Sequence, residues 1–144
     1  MGADVTDRLV DAINAHDLEA VVRCYSPGAV NVTPEIQAEN PEQIASYLEQ
    51  AWEGFPDLRV EVLEKICAGD VVVLQAVVTG THTGPYLICG GEMLEGSGRR
   101  TAVRCCLIIA VEDDLIVSHS VYFDQLEAYS QLGVRFLPPA EPPA

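Results

Sequence analysis

The sequence predicts an α+β fold in which helices come first and a long run of antiparallel strands follows. Apolar residues recur at helical spacing as far as about residue 55, and at a period of two from residue 58. Turn signals divide that second part into four long strands. Because helices that precede such strands pack on one face of the sheet, we expect the sheet to curl around them. One mouth then stays open, which is the default place for a ligand.

Two short helices are predicted at the N-terminus. Val5, Leu9 and Ile13 recur at four-residue spacing, which indicates a helix over about residues 4–14. Asp17 is a typical capping residue, and the second helix that it begins ends at the turn residues 26–28. The apolar face of that helix consists of Leu18, Val21, Val22 and Tyr25. The β-branched stretch over residues 29–33 predicts a short first strand.

A third helix is predicted from the pair Asn40-Pro41, because Asn caps a helix and Pro is favoured at its first position. Gln43 stands where a capping box has its polar side chain. Gly54 and Pro56 end the helix. One apolar stripe runs along it and is formed by Ile44, Tyr47, Leu48, Ala51, Trp52 and Phe55.

Four long strands are predicted at 58–68, 71–83, 99–111 and 115–123. Gly69-Asp70 signals a hairpin between the first two, and the acidic residues 112–114 form the turn between the last two. Residues 84–98 are expected to be a Gly-rich loop. A short helix from Asp124 to Leu132 follows, with Gly133 as its end. One domain is therefore expected over residues 1–137, and an extended Pro-rich tail over residues 138–144.

The composition excludes several classes of partner. The 144 residues include 22 acidic and 8 basic ones, so the formal net charge is −14. Nucleic acid and anionic membrane surfaces need clustered Lys and Arg and are not expected partners. No signal peptide or membrane helix is expected. Five cysteines at no motif spacing indicate free thiols in a reducing cytoplasm, and no metal or cofactor is expected because no such motif is present.

Several short strings occur in one order along almost the whole chain. They are Leu18–Val22 with Tyr25, Phe55–Leu58, Gly80–Gly84, Gly98–Arg100, Asp114–Val117, His119, Tyr122–Gln125 and Gln131–Gly133. In these strings the chain resembles the SnoaL-like polyketide cyclases, which share the fold of nuclear transport factor 2 and ketosteroid isomerase. The resemblance implies a cone-shaped curved sheet around the N-terminal helices, a homodimer through the sheet, and an apolar pocket without a cofactor. These cyclases close a ring by an intramolecular aldol reaction and use one aspartate as the acid/base.

The resemblance assigns that acid/base role to Asp124, from a motif that here falls on His119, Ser120 and Asp124. The alternative is that Asp124 caps the last helix, and both roles can coexist. Strand alternation places Ser120, Tyr122 and Asp124 on one face, so that Tyr122 is expected to assist and His119 to lie at an interface or on the surface. His82 is a second polar candidate at the pocket rim. Alternatively, His82 has a structural role and forms a hydrogen bond to a turn.

Several further residues are expected to bind substrate. Tyr25, Tyr47, Trp52, Phe55 and Tyr86 are the aromatic candidates for the wall and mouth, and Ala76, Cys106 and Ser120 complete the set. The resembling cyclases have a histidine on the strand that contains Cys106, whereas residues 99–111 of this chain include none. Tryptophan is common in these cyclases where this chain has Ala76 and Ser120. These two smaller side chains predict a larger cavity and a bulkier ligand.

The sequence therefore predicts a cytoplasmic enzyme that abstracts a proton next to a carbonyl of a polyketide-derived or similarly large apolar molecule. A non-catalytic binder of the same ligands is one alternative. Another is an epoxide hydrolase, for which Asp124 and Arg104 are the candidates. A third is a dimeric assembly module with a filled cone. A ketosteroid isomerase is not expected, because Thr33 stands before Pro34 at the position of its base and a threonine cannot serve as one.

Overall fold

The computed structural model describes residues 4–88 and 90–135 and contains four helices against one large curved sheet. The helices are α1 (Val5–Asn14), α2 (Leu18–Arg23), α3 (Pro41–Gly54) and α4 (Gln125–Gln131). The strands are β1 (Tyr25–Val32), β2 (Gln37–Ala38), β3 (Arg59–Ala68), β4 (Val71–Thr81), β5 (Tyr86–Leu87), β6 (Met93–Leu94), β7 (Arg100–Glu112) and β8 (Leu115–Phe123). The predicted α+β class is confirmed. The predicted tail lies outside the described residues.

The main sheet has the strand order β2-β1-β8-β7-β4-β3. Neighbouring long strands β3, β4, β7 and β8 pair antiparallel, as predicted. The first strand differs from the prediction in two ways. It begins at Tyr25, which the sequence placed on the second helix, and it pairs with β8 in parallel. The predicted loop over residues 84–98 contains a small second sheet, in which β5 pairs with β6.

Each of the four helices begins at a capping side chain. Asp4, Asp17, Asn40 and Asp124 each accept a hydrogen bond from the backbone N–H three residues later. A cap of this kind stabilises a helix by about 1 kcal/mol. Three of these capping residues, Asp17, Asn40 and Asp124, were named from local sequence alone, since a cap depends on residues that are close together in the chain.

The hydrophobic core lies between α1, α2 and the sheet. Leu9 of α1, Leu74 of β4, and Ile109 and Ile116 of β7 and β8 are among its most buried members. Asn14 joins α1 to β3, because its side chain donates to Val60 O and accepts from Val60 N, at 2.9 and 2.7 Å. Within the described residues no helix is long and apolar enough to cross a membrane.

Candidate functional site

A cavity of about 230 Å³ lies between the concave face of the sheet and the helices α3 and α4. Its wall is mostly apolar. The apolar lining includes Ile13, Val21, Ile44, Leu48, Ala51, Phe55, Leu58, Val60, Val78, Val103, Leu107, Val121, Phe123, Ala128 and Leu132. The polar lining consists of Tyr25, Asn31, Thr33, Glu35, Tyr47, Thr79, Tyr86, Thr101, Cys105, His119 and Tyr129. Among residues 4–88 and 90–135, the wall therefore contains one carboxylate, Glu35, and no Lys or Arg.

Strand alternation determines which side chains of β8 reach this cavity. His119, Val121 and Phe123 line it, whereas Tyr122 lies on the opposite face and is 61% exposed. The prediction that Ser120 and Tyr122 face the cavity and that His119 does not was therefore wrong. The error arose because the alternation of side chains along β8 was counted back from Asp124. The strand ends at Phe123, so the position of Asp124 says nothing about which face its predecessors occupy.

Asp124 is exposed, and its side chain accepts a hydrogen bond from Glu127 N at 3.1 Å. The capping alternative is confirmed. Asp124 is not among the residues that line the cavity. Its role as the acid/base stays a prediction.

A buried polar group lies on the β1–β8 side of the cavity. The hydroxyl of Tyr25 and Nδ1 of His119 form a hydrogen bond of 2.9 Å, and the two ring planes lie within 16° of each other. Burial lowers the pKa of His119 to about 4 and raises the pKa of Tyr25 above its ordinary value. Both side chains are therefore neutral at neutral pH. Nε2 of His119 has no hydrogen-bond partner among the described residues.

Asn31 lies directly beside His119. The two residues are register partners in the parallel pairing of β1 with β8, and each is 5% exposed. Oδ1 of Asn31 also has no hydrogen-bond partner in the described part of the chain. The cavity wall thus contains two neighbouring side chains that each have an unsatisfied polar atom, in surroundings that are otherwise apolar.

A second polar cluster joins three elements through Glu35. One oxygen of its carboxylate accepts hydrogen bonds from the hydroxyls of Tyr47 and Tyr86, at 2.6 and 2.8 Å. The other accepts one from Tyr129 at 2.7 Å. The three tyrosines belong to α3, β5 and α4, so one carboxylate fixes these elements around the cavity. Burial is the main cause that raises the pKa of Tyr47 and of Tyr86, so both remain protonated donors.

Other residues that the sequence singled out lie away from the cavity wall. His82 is buried, bonds Ser97 Oγ through Nδ1 at 2.9 Å and packs on Phe55, which agrees with a structural histidine held against a loop. Trp52 stacks on His16 at 4.9 Å. Ala76 and Cys106 are also absent from the cavity lining. Neither Ala76 nor Ser120 borders the cavity, so the prediction that these small residues enlarge it was wrong.

Four aromatic residues named from the sequence, Tyr25, Tyr47, Phe55 and Tyr86, do line the cavity, although their binding of a substrate stays a prediction. Sequence reasoning missed Asn31, Glu35 and Tyr129. Asn31 gave one local signal, an amide within a β-branched strand. The Glu35 cluster gave none, because its bonds join residues 12, 51 and 94 positions apart.

Cys105 lines the cavity and Cys106 does not, as strand alternation predicts for two adjacent residues. Burial raises the pKa of the Cys105 thiol to about 11, so at neutral pH it is a protonated wall residue rather than a nucleophile. Cys24, Cys67, Cys105 and Cys106 are free thiols. Cys89 lies outside the described residues. Among those that are described, no three His, Cys, Asp or Glu side chains form a group that could hold a metal ion.

The curved sheet and the helices against it define an α+β protein of the nuclear transport factor 2 and ketosteroid isomerase fold. A ketosteroid isomerase-like protein from Catenulispora acidiphila DSM 44928, solved with trimethylamine, superposes with a TM-score of 0.76 at 17% identity. That alignment covers 96% of this chain and all (100%) of the other. This likeness shows the fold alone.

The family follows from the sequence itself. The family model of the SnoaL-like polyketide cyclases matches residues 3–132, so the chain belongs to that family. No match was found among curated proteins.

Two solved structures show the same relationship. A SnoaL-like protein of Jannaschia sp. CCS1, proposed to be a polyketide cyclase, has 25% identity and a TM-score of 0.79, and the alignment covers 91% of this chain and 90% of that one. IdmH of Streptomyces antibioticus, also proposed to be a polyketide cyclase, has 26% identity and a TM-score of 0.75, with 90% and 96% covered.

Proposed function

We propose that this protein is an acid/base enzyme that abstracts a proton next to a carbonyl of an apolar small molecule, and that His119 is the acid/base group. The class of substrate, polyketide-derived or similarly apolar, rests on family membership and on the apolar cavity wall. The observation that carries the proposal is the state of His119. It is buried and neutral, Tyr25 holds its ring, and its second nitrogen has no partner among the described residues.

The chemistry needs one neutral imidazole and no cofactor. When Nδ1–H donates to the Tyr25 hydroxyl, Nε2 has a free lone pair and can accept a proton from the carbon next to a carbonyl. The electron pair of that C–H bond moves onto the carbonyl oxygen as an enolate. The enolate carbon then adds to a second carbonyl of the same molecule, and the resulting alkoxide takes the proton back from Nε2. The ring closes and the imidazole is neutral again. An isomerisation returns the proton to a different carbon instead.

An apolar wall favours this chemistry because hydrogen bonds and charges act more strongly away from water. A pKa of about 4 means that His119 is fully available as a base at neutral pH, although each proton transfer to it is uphill. The Tyr25 hydroxyl is suited to hold the imidazolium, since it lies 2.9 Å from Nδ1 and can accept from the Nδ1–H that an imidazolium carries.

Asp124, the base proposed from the family motif, remains the rival assignment. It is separated from the cavity-lining Phe123 by one peptide bond and its charge faces solvent. The epoxide hydrolase alternative is disfavoured, because within residues 4–88 and 90–135 the cavity wall contains neither Asp nor Arg and Arg104 is exposed. A non-catalytic binder is distinguished by the experiment below, because it would bind without turning over.

The proposal includes a homodimer in the cytoplasm. The convex face of the sheet supports a dimer because it exposes apolar side chains on adjacent strands. Ile108 of β7 and Tyr122 of β8 are exposed there, and they are register partners of Ser120 and Cys106, respectively. The four described free thiols support a reducing compartment.

The experiment uses β-tetralone, an apolar two-ring ketone with acidic protons next to its carbonyl. Wild-type protein is expected to accelerate exchange of those protons with deuterium oxide, as followed by proton NMR. His119→Gln keeps a hydrogen-bonding side chain toward Tyr25 but cannot cycle a proton, so we expect its exchange rate to fall by about 100-fold or more. Its affinity for β-tetralone should change little. Unchanged exchange in His119→Gln would exclude this residue as the base. No acceleration by the wild type, with binding retained, would favour the binder.

A further inference from the structure

The paired unsatisfied atoms of Asn31 and His119 require an explanation beyond proton transfer. Buried polar atoms in folded proteins almost always have a hydrogen-bond partner, and an exception commonly marks a site for a missing partner. Oδ1 of Asn31 and Nε2 of His119 are both unpartnered among the described residues, and both side chains line the same cavity. Asn31 and His119 are register partners on β1 and β8, and neighbouring strands in a sheet lie about 4.8 Å apart.

Nε2 of His119 and Oδ1 of Asn31 differ in their chemistry, because the first can take up a proton and the second can only accept a hydrogen bond. Nε2 is assigned to the proton of the reacting carbon, whereas Oδ1 of an amide is an acceptor that takes no part in proton transfer. A partner for Oδ1 must therefore bring its own hydrogen. In the polyketide-derived or similarly apolar ligand proposed above, the uncharged group that does so is a hydroxyl, either phenolic or enolic.

We propose that Asn31 is a specificity-determining residue that accepts a hydrogen bond from a hydroxyl of the substrate, beside the carbon that faces His119. The inference deepens the proposed function and rests on it for the presence of a small-molecule ligand. It assigns the substrate class as a hydroxylated or enolised ring compound, rather than a hydrocarbon or a fully O-alkylated one.

The other polar groups of the cavity wall indicate how the ligand is oriented. Glu35, the carboxylate of the wall, already accepts three tyrosine hydroxyls, so it is a less available acceptor for a ligand hydroxyl. The hydroxyl therefore belongs at the β1–β8 side, and the apolar remainder of the ligand extends toward the tyrosines. A ligand without the hydroxyl would leave Oδ1 buried and unpaired, which costs affinity.

The experiment compares two probes that differ in one hydrogen-bond donor, β-naphthol and β-methoxynaphthalene. Each is titrated by calorimetry into the wild type, Asn31→Leu and Thr79→Val. Leucine has nearly the shape of asparagine without its polar atoms. Thr79→Val is the matched control, because it also removes a polar group from the cavity wall at constant volume. We expect wild type and Thr79→Val to prefer β-naphthol by about five-fold, the worth of one hydrogen bond, and Asn31→Leu to show no preference.

Thermal unfolding of the ligand-free variants gives an independent readout. Asn31→Leu should raise Tm by about 3 °C, because it removes an unsatisfied buried polar atom. An asparagine with a purely structural role would lower Tm on substitution. A crystal structure of the wild type with β-naphthol covers the case in which the variant does not fold. The naphthol oxygen should lie within about 3.2 Å of Asn31 Oδ1.

Equal preference for β-naphthol in wild type and Asn31→Leu would overturn the inference. So would a crystal structure in which a water occupies Asn31 Oδ1 and the naphthol oxygen lies elsewhere. These outcomes are distinct from failure of the proposed function, which is measured by β-tetralone exchange in His119→Gln with Asn31 intact. If neither probe binds the wild type, both the inference and the proposed function are contradicted.

Discussion

The buried state of His119 predicts a specific loss of stability in mild acid. Burial lowers its pKa from an ordinary 6.5 to about 4, so between these values the unfolded chain binds a proton that the folded protein does not. Stability therefore falls as pH falls through this window. The lowering of the His119 pKa from 6.5 to about 4 is worth about 3 kcal/mol in total, and most of this is lost between pH 6.5 and pH 4. Urea unfolding at a series of pH values, followed by tryptophan fluorescence of Trp52, measures this loss.

The control is His119→Gln, which removes the titrating group and retains a polar side chain beside Tyr25. Carboxylates with lowered pKa values, such as Asp57, also lose stability in acid, but they do so equally in both proteins. The difference between wild type and variant therefore isolates His119. If the two proteins lose the same free energy of unfolding over this window, the buried, neutral imidazole is refuted, and with it the basis of the proposed function.

Three further predictions concern other parts of the molecule. Asp124→Ala should destabilise the protein by about 1 kcal/mol through loss of the α4 cap, whereas Asp124→Asn should be nearly neutral in urea unfolding. Equal losses would contradict the cap. Glu35→Ala should lower Tm by several degrees more than Glu35→Gln, because three tyrosine hydroxyls lose their acceptor and glutamine still supplies one. Tyr122→Lys should shift the mass in light scattering from dimer to monomer, while Leu126→Lys, on exposed α4, should not. A monomeric wild type would refute the dimer.

The fold could be predicted from the sequence wherever the signal is local. The caps Asp17 and Asn40 and the hairpin at Gly69-Asp70 depend on neighbouring residues, and the structure confirms them. Tyr25 was assigned to the second helix because it continues an apolar helical face. In the structure the helix ends at Arg23, and Tyr25 starts β1 beside β8. Pairing with a strand some 90 residues away overrides that local pattern.

The candidate site was less accessible to sequence reasoning. Aromatic residues on a helical stripe face the interior by periodicity, which is why Tyr47 and Phe55 were found. Which side chains of β8 face the cavity follows from their alternation along the strand. Counting that alternation from a residue outside the strand can reverse the assignment, and Asp124 lies outside β8. Glu35 was missed for a different reason. Its position in the turn between β1 and β2 predicts exposure, whereas tyrosines from three distant elements bond its carboxylate and partly bury it.

A comparison of His119→Gln with Asp124→Asn in β-tetralone deuterium exchange tests directly which residue is the acid/base group. Both substitutions remove a candidate acid/base and keep its hydrogen-bonding shape, and the second also keeps the helix cap. If His119 is the base, exchange falls by about 100-fold or more in His119→Gln and stays within about two-fold of wild type in Asp124→Asn. The opposite pattern would assign the base to the exposed carboxylate and contradict the central role of the buried histidine.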